Sequence, residues 1–245
     1  MQVTRERERE QAELKLILIK ITILSQERLK LTKLISFILQ KTGISQNIKE
    51  LLQTLPTPPK HGWDRVKLKQ VAFYPQDRID IDLLTPQNYV GVDNLLQNKE
   101  GKKEAEFILE GVGTTNAYDT NDILIGNIRP YLKKIWFANS KGGTNNDVVV
   151  VRSKDIKKLN SKFLYCVLCD DDFFEYEMRN AKGVKMPRGD KEAILNYDFP
   201  LPPLETQEKI LQSIELVEQQ SDFIKSKLEF LEKEKEKILH KYLFS

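Results

Sequence analysis

The chain has 245 residues, enough for one well-buried core plus an extended element. Its 39 lysines and arginines nearly balance 36 aspartates and glutamates, leaving a formal charge of +3. That excludes a global basic field, so any site for a polyanion has to be built locally.

The N-terminus opens on the charged run Arg5-Glu6-Arg7-Glu8-Arg9-Glu10, which does not read as a secretory leader. No window reaches the ~20 apolar residues that a bilayer span needs, so the expected setting is cytoplasmic with no membrane partner. Residues 1–55 are nearly free of glycine and proline and predict a helical segment. Leu14, Ile17, Ile21, Leu24, Arg28, Leu31, Ile35 and Ile38 recur at spacings of three and four, a heptad-like row. The isoleucines at 17, 19, 21 and 23 also alternate as a strand would, but the row continues past them and favours helix. Gly43 then stops it, and Ser45 caps a short helix up to Leu55.

Residues 56–62 are a proline-rich linker: Pro56, Pro58, Pro59 and Gly62 neither continue a helix nor pair as a central strand. Residues 63–202 predict a mixed α/β domain. Strand-like runs fall at Val66 to Phe73, Tyr89 to Val92, Ile123 to Gly126, Lys134 to Ala138 and Asp147 to Arg152, with one helix over Ser161 to Asn180. Cys166 and Cys169 lie in that helix. Their spacing invites a metal or redox reading, but there is no second pair and only His61 and His240 are available, so they read as small apolar filler in a reducing compartment.

Pro202 and Pro203 end the domain, and residues 203–245 predict one long helix with Glu205 and Glu208 in its first turn. Ile210, Ile214, Val217, Ser221, Ile224, Leu228, Leu231, Lys235, Ile238 and Tyr242 form a heptad seam broken only by Ser221 and Lys235. The stripe is narrower than the face a globular core asks for, which predicts a coiled-coil helix. The fold class is therefore α+β: a mixed domain on a long C-terminal coiled-coil helix, preceded by an N-terminal helical segment.

Several stretches together resemble the target-recognition domain of specificity subunits from type I restriction-modification systems. They are Gly62-Trp63-Asp64-Arg65-Val66-Lys67-Leu68, Tyr89-Val90-Gly91-Val92-Asp93, Asn121 through Pro130, Asn146 through Arg152, Lys182 through Arg188, and the exit Asp198 through Gln207. The resemblance spans nearly all of residues 60–243. It implies a non-catalytic subunit, free of cofactor and metal, that binds double-stranded DNA at a bipartite site. Bound there, it would direct adenine-N6 methyltransferase subunits and a restriction subunit. Such subunits usually carry two recognition domains joined by two long helices, and this chain has one domain. Leu29 to Gly43 is similar to the end of the helix that precedes a recognition domain, so residues 1–55 read as a remnant of the spacer helix. The chain reads as a half-subunit that forms a homodimer or pairs with another half-subunit.

Within such a domain, phosphate contacts need cations or amides, and base readout needs bidentate side chains. Two stretches offer both: Arg129, Tyr131, Lys133 and Lys134 after a strand, and Arg179, Lys182, Lys185, Arg188 and Lys191 across a loop bearing glycine and proline. Asn116, Tyr118, Asn145 and Asn146, in what read as glycine-rich turns, add amides and a phenol. Each group also reads as solvated surface or ordinary turn residues. Enzyme readings are weaker. Ile108 to Gly113 lacks a third glycine for a nucleotide turn, no Asn- or Asp-Pro-Pro-aromatic motif occurs, and Asp93, Glu100 and Lys102 match a nuclease set no better than chance. The alternatives outside DNA recognition are a coiled-coil protein-interaction module and a silent recognition cassette.

Overall fold

The computed structural model describes residues 57–243 together with Leu55. The expected N-terminal helices therefore lie outside the described residues. Pro56–Leu211 pack as one unit, and the chain from Gln212 onward belongs to another.

In chain order the elements are β1 (Arg65–Lys67), α1 (Leu68–Val71), β2 (Ala72–Phe73), β3 (Arg78–Asp80), β4 (Tyr89–Val90), β5 (Thr114–Tyr118), β6 (Ile123–Gly126), β7 (Ile135–Phe137), β8 (Gly142–Thr144) and β9 (Val148–Ser153). The helices α2 (Ser161–Leu168), α3 (Asp171–Asn180) and α4 (Lys191–Leu195) follow, then β10 (Asp198–Pro200) and α5 (Leu204–Leu243).

The central sheet has the order β2-β9-β6-β7 and is antiparallel throughout. Strand side chains alternate between faces. Ile123, Ile125, Ile135, Val149 and Val151 enter one core layer with Phe163, Leu164, Phe173, Phe174 and Ile194 from the helices. Leu124, Trp136, Val148 and Val150 enter a second layer with Val90, Leu95 and Tyr118. Both faces are covered, which is why β6 and β9 read as unbroken apolar runs.

The second sheet, β3-β5-β8-β4, is antiparallel except for the parallel β4–β8 pair. Of its members only β4 was expected as a strand, because β8 opens with two glycines and β5 reads as turn chemistry. Packing explains the glycines: a side chain at Gly142 would collide with the Asn88 carbonyl, and one at Gly143 with Leu84 and Ile79. Tyr118 was expected in an exposed turn. It is buried on β5, edge-on to Trp136 with its hydroxyl donating to Asn88 O at 2.8 Å, and burial raises its pKa to about 12.

Two other expectations are refined. The run Val66 to Phe73 is broken by α1, where Gln70 Oε1 accepts the Lys67 N–H at 2.6 Å and the Leu68 N–H donates to Tyr197 O. The helix expected over 161–180 divides at Cys169-Asp170, because Asp170 turns extended and caps α3 through the Asp172 N–H at 2.9 Å. The break lets Phe173 and Phe174 both enter the core. Cys169 closes α2, and burial raises its thiol pKa to about 11, the opposite of what a metal-bound thiolate needs.

The exit motif has a physical basis. Gln207, fully buried in the first turns of α5, donates to Lys158 O and Pro202 O and accepts the Asn160 N–H at 2.9 Å. Asn160 in turn caps α2. Ile210, expected as the first seam position, instead packs against the domain core beside buried Leu211. Farther along, Ile214 is half-buried and Val217 exposed, while the side chains of Ile224, Leu228, Leu231 and Ile238 lie outside those described. Among the described residues no helix is long and apolar enough to cross a membrane.

Candidate nucleic-acid interface

Three loops from distant parts of the sequence meet through their backbones. The Asn127 N–H, just after β6, donates to Asp147 O at 2.8 Å, and the Gly189 N–H donates to Asn127 O at 2.9 Å. Arg129 N–H donates to Pro187 O at 2.8 Å. Lys182 and Arg188 exchange both backbone hydrogen bonds, making residues 182–188 a narrow hairpin, and Arg188 also bridges to Ile128. The segments around Arg129, Asn145-Asn146 and Lys182–Arg188, separated by up to some sixty positions in the chain, thus form one ridge.

Side chains extend it. Arg188 Nη1 lies 3.0 Å from Asp147 Oδ1, and Lys182 Nζ 2.6 Å from Asp190 Oδ2. Asn145 Oδ1 accepts the Asp147 N–H. Asn146 Oδ1 accepts from Asn116 Nδ2 at 3.1 Å, whose Oδ1 accepts from Arg78 Nη1 at 2.6 Å. Arg78 was missed in the sequence. It sits on a three-residue strand, and only the β3–β5 pairing brings it to Asn116.

The expected cations divide into two kinds. Arg129, Arg179 and Lys185 are exposed and have no carboxylate partner among the described residues. Arg129 has a left-handed backbone at φ 53°, as does Lys133 at φ 49°. Together they bracket the turn Pro130–Leu132 and hold Tyr131 half-exposed at its tip. Conformations of this sort cost roughly 1 kcal/mol each in a non-glycine residue. Lys133 and Lys134, by contrast, are committed inside the protein. Lys133 shares Asp171 with Lys99, at 2.9 and 2.7 Å, and those two lysines bring the Asp171 pKa down to about 2. Lys134 Nζ donates to Val92 O at 2.6 Å, and its pKa is lowered by burial. Their charges brace the turn from beneath.

Under the ridge lies an unexpected group. Glu177, on α3, is 1% exposed, and neither carboxyl oxygen has a partner; Asn127 Oδ1, also buried, has none either. Both lie against Gly189, where any side chain would collide with the two of them. Burial raises the Glu177 pKa to about 8, so at neutral pH it carries a proton. Asn127 Oδ1 is the orphan acceptor beside it.

Polar and cationic groups from three loops thus converge on one exposed surface of the domain. Residues 60–233 match the model of the type I restriction modification DNA specificity domain, and the chain belongs to that family. The chain is 24% identical over 200 residues to the EcoDI type I restriction enzyme specificity subunit of Escherichia coli, a match covering 78% of this chain and 42% of that one. The HsdS subunit from Thermoanaerobacter tengcongensis has a similar fold, with TM-score 0.58 and 22% identity over 76% of this chain and 49% of its own. A chain solved in work on complex assembly and conformational transition of the type I restriction-modification system matches at TM-score 0.55 and 19% identity, over 90% and 55%. This chain spans about half the length of these relatives.

Proposed function

We propose that the chain reads one part of a bipartite site in duplex DNA and directs adenine-N6 methyltransferase and restriction subunits to it. The observation that carries this reading is the convergence of the Arg129, Asn145-Asn146 and Lys182–Arg188 loops on one exposed ridge in a chain of this family. Cations there supply phosphate contacts, and Arg129, Asn116, Asn145 and Asn146 supply bidentate groups for base edges. The chain pairs with a second copy or another half-subunit through the heptad seam of its long helix. The long helix, through its heptad seam, holds the methyltransferase subunits in this reading.

The test is a genome-wide map of N6-methyladenine with the gene intact and deleted. Loss of methylation at one bipartite motif is the expected result. An unchanged map overturns the methylation role and favours the interaction-module or silent-cassette reading. For pairing through the helix, Ile224→Asp with Leu228→Asp should convert a pair to single chains in sedimentation and abolish capture of methyltransferase subunits. A doubly substituted chain with wild-type behaviour in both measurements would remove the seam from the account.

A further inference from the structure

The ridge carries a feature that phosphate binding does not use. At the tip of the 182–188 hairpin Val184 is fully exposed, at 102%, and Met186 is 51% exposed. Isolated exposed apolar residues are ordinary. These two are set apart by position: they project from a narrow antiparallel finger closed by the Lys182–Arg188 pair, with Gly183 at φ 92° turning the chain. The finger is fixed at its base by Ile128, Arg129 and Asn127. Lys185 lies between them on the finger, Lys182 and Arg188 close it, and Arg129 bonds to its base; Lys185 and Arg129 are exposed with no carboxylate partner among the described residues. An apolar tip flanked by cations is complementary to a surface that offers hydrophobic groups inside a frame of negative charge. The major groove of duplex DNA is such a surface: it admits a two-stranded ribbon, its walls are phosphate, and its apolar features are the thymine 5-methyl groups.

We infer that the 182–188 hairpin enters the major groove and that Val184 and Met186 read thymine through its methyl group. The inference rests on the DNA-binding reading above and deepens it by assigning specificity to two apolar residues. The cations position the finger, and the tip discriminates. Val184 has no hydrogen-bonding group and the Met186 thioether is only a weak acceptor, so the thymine methyl is the feature to which both are matched.

The test uses the full chain with its methyltransferase subunits and removes the methyl from the DNA. Duplexes are first selected from a random pool. The recovered ones are then remade with deoxyuridine in place of thymidine, keeping every hydrogen-bonding group. Wild-type affinity should fall about fourfold for each methyl contacted, the effect of uncovering one buried methyl. The Val184→Ser, Met186→Ser variant should bind both duplexes alike, with its salt dependence unchanged. Equal wild-type binding to thymidine and deoxyuridine duplexes overturns the inference while leaving DNA binding intact. So does a variant that still discriminates, or one that keeps DNA discrimination but loses methyltransferase capture, which would make the tip a protein contact. Failure to retain any duplex from the pool overturns the DNA reading itself. The tip is exposed, so the substitutions leave the fold undisturbed, and the deoxyuridine arm needs no variant.

Discussion

Reversing two charges, Arg129→Glu with Lys185→Glu, should weaken duplex binding about a hundredfold or more near 0.15 M salt and flatten the salt dependence by about two units on a log–log plot. The choice follows from partners. Lys182 is held by Asp190, Arg188 by Asp147, and Lys133 by Asp171, whereas Arg129 and Lys185 are exposed with no carboxylate partner among the described residues. A paired cation must leave its carboxylate to reach a phosphate, which offsets much of the gain. An unpaired one releases a DNA counterion with nothing to break, at a slope of about 0.9 per contact. Each charge-assisted contact contributes roughly 1–1.5 kcal/mol, and the introduced glutamates add repulsion, which together give the expected factor. Fluorescence titration over 0.05–0.3 M salt reads both quantities. Lys133→Ala is the contrast: it should lower stability by loosening the turn at Asp171 while leaving the slope near wild type. A slope unaffected by the double reversal would place the DNA elsewhere on the chain.

What the sequence exposed and what it concealed follow from the range of the forces involved. The central sheet was legible because both faces of β6 and β9 are buried, so Ile123 to Gly126 and Val148 to Val151 carry their own apolar signature. The long helix announced itself through Pro202-Pro203 and its periodic run. The second sheet, apart from β4, did not, because Gly142 and Gly143 are there to admit the Asn88 carbonyl and the Leu84 side chain, partners more than fifty positions away. For the interface, charge type and loop setting picked out Arg129, Lys182, Lys185 and Arg188, and the Asn127–Gly189 and Arg129–Pro187 bonds bring those stretches together. Charge type alone cannot say which cations are already spoken for. Lys133 and Lys134 look identical to Lys185 in the chain, and only the neighbouring Asp171 and the Val92 carbonyl distinguish them. Nor does a glutamate three positions before the end of a helix advertise that it is buried.

That glutamate governs the second large effect. Unfolding should become easier as pH rises through about 8, and Glu177→Gln should remove this contribution. The unfolded carboxyl releases its proton near 4.5, while the folded one holds it to about 8. Between those values the folded state binds one proton more than the unfolded state, so raising pH favours unfolding. The contribution is fully present below 4.5, declines across the window and is gone above 8, a swing on the order of 4–5 kcal/mol. The groups facing Glu177 do not reverse the sign. Tyr74, whose pKa is raised by burial and by the nearby Glu177 and Asp190, stays neutral throughout; Asp190, held low by its bonds from Lys182 and the α4 amides, stays ionised. Glutamine keeps the shape and carries no charge at any pH. Urea unfolding at pH 6, 7.5 and 9 should therefore show the variant gaining on wild type as pH rises, by several kcal/mol at pH 9. A gap that is the same at all three pH values would mean that Glu177 is not the group holding the proton. Because Glu177 and Asn127 meet at Gly189, the base of the hairpin, its ionisation is felt first where the finger joins the domain. The loss of duplex affinity above pH 8 should accordingly be smaller in Glu177→Gln than in wild type.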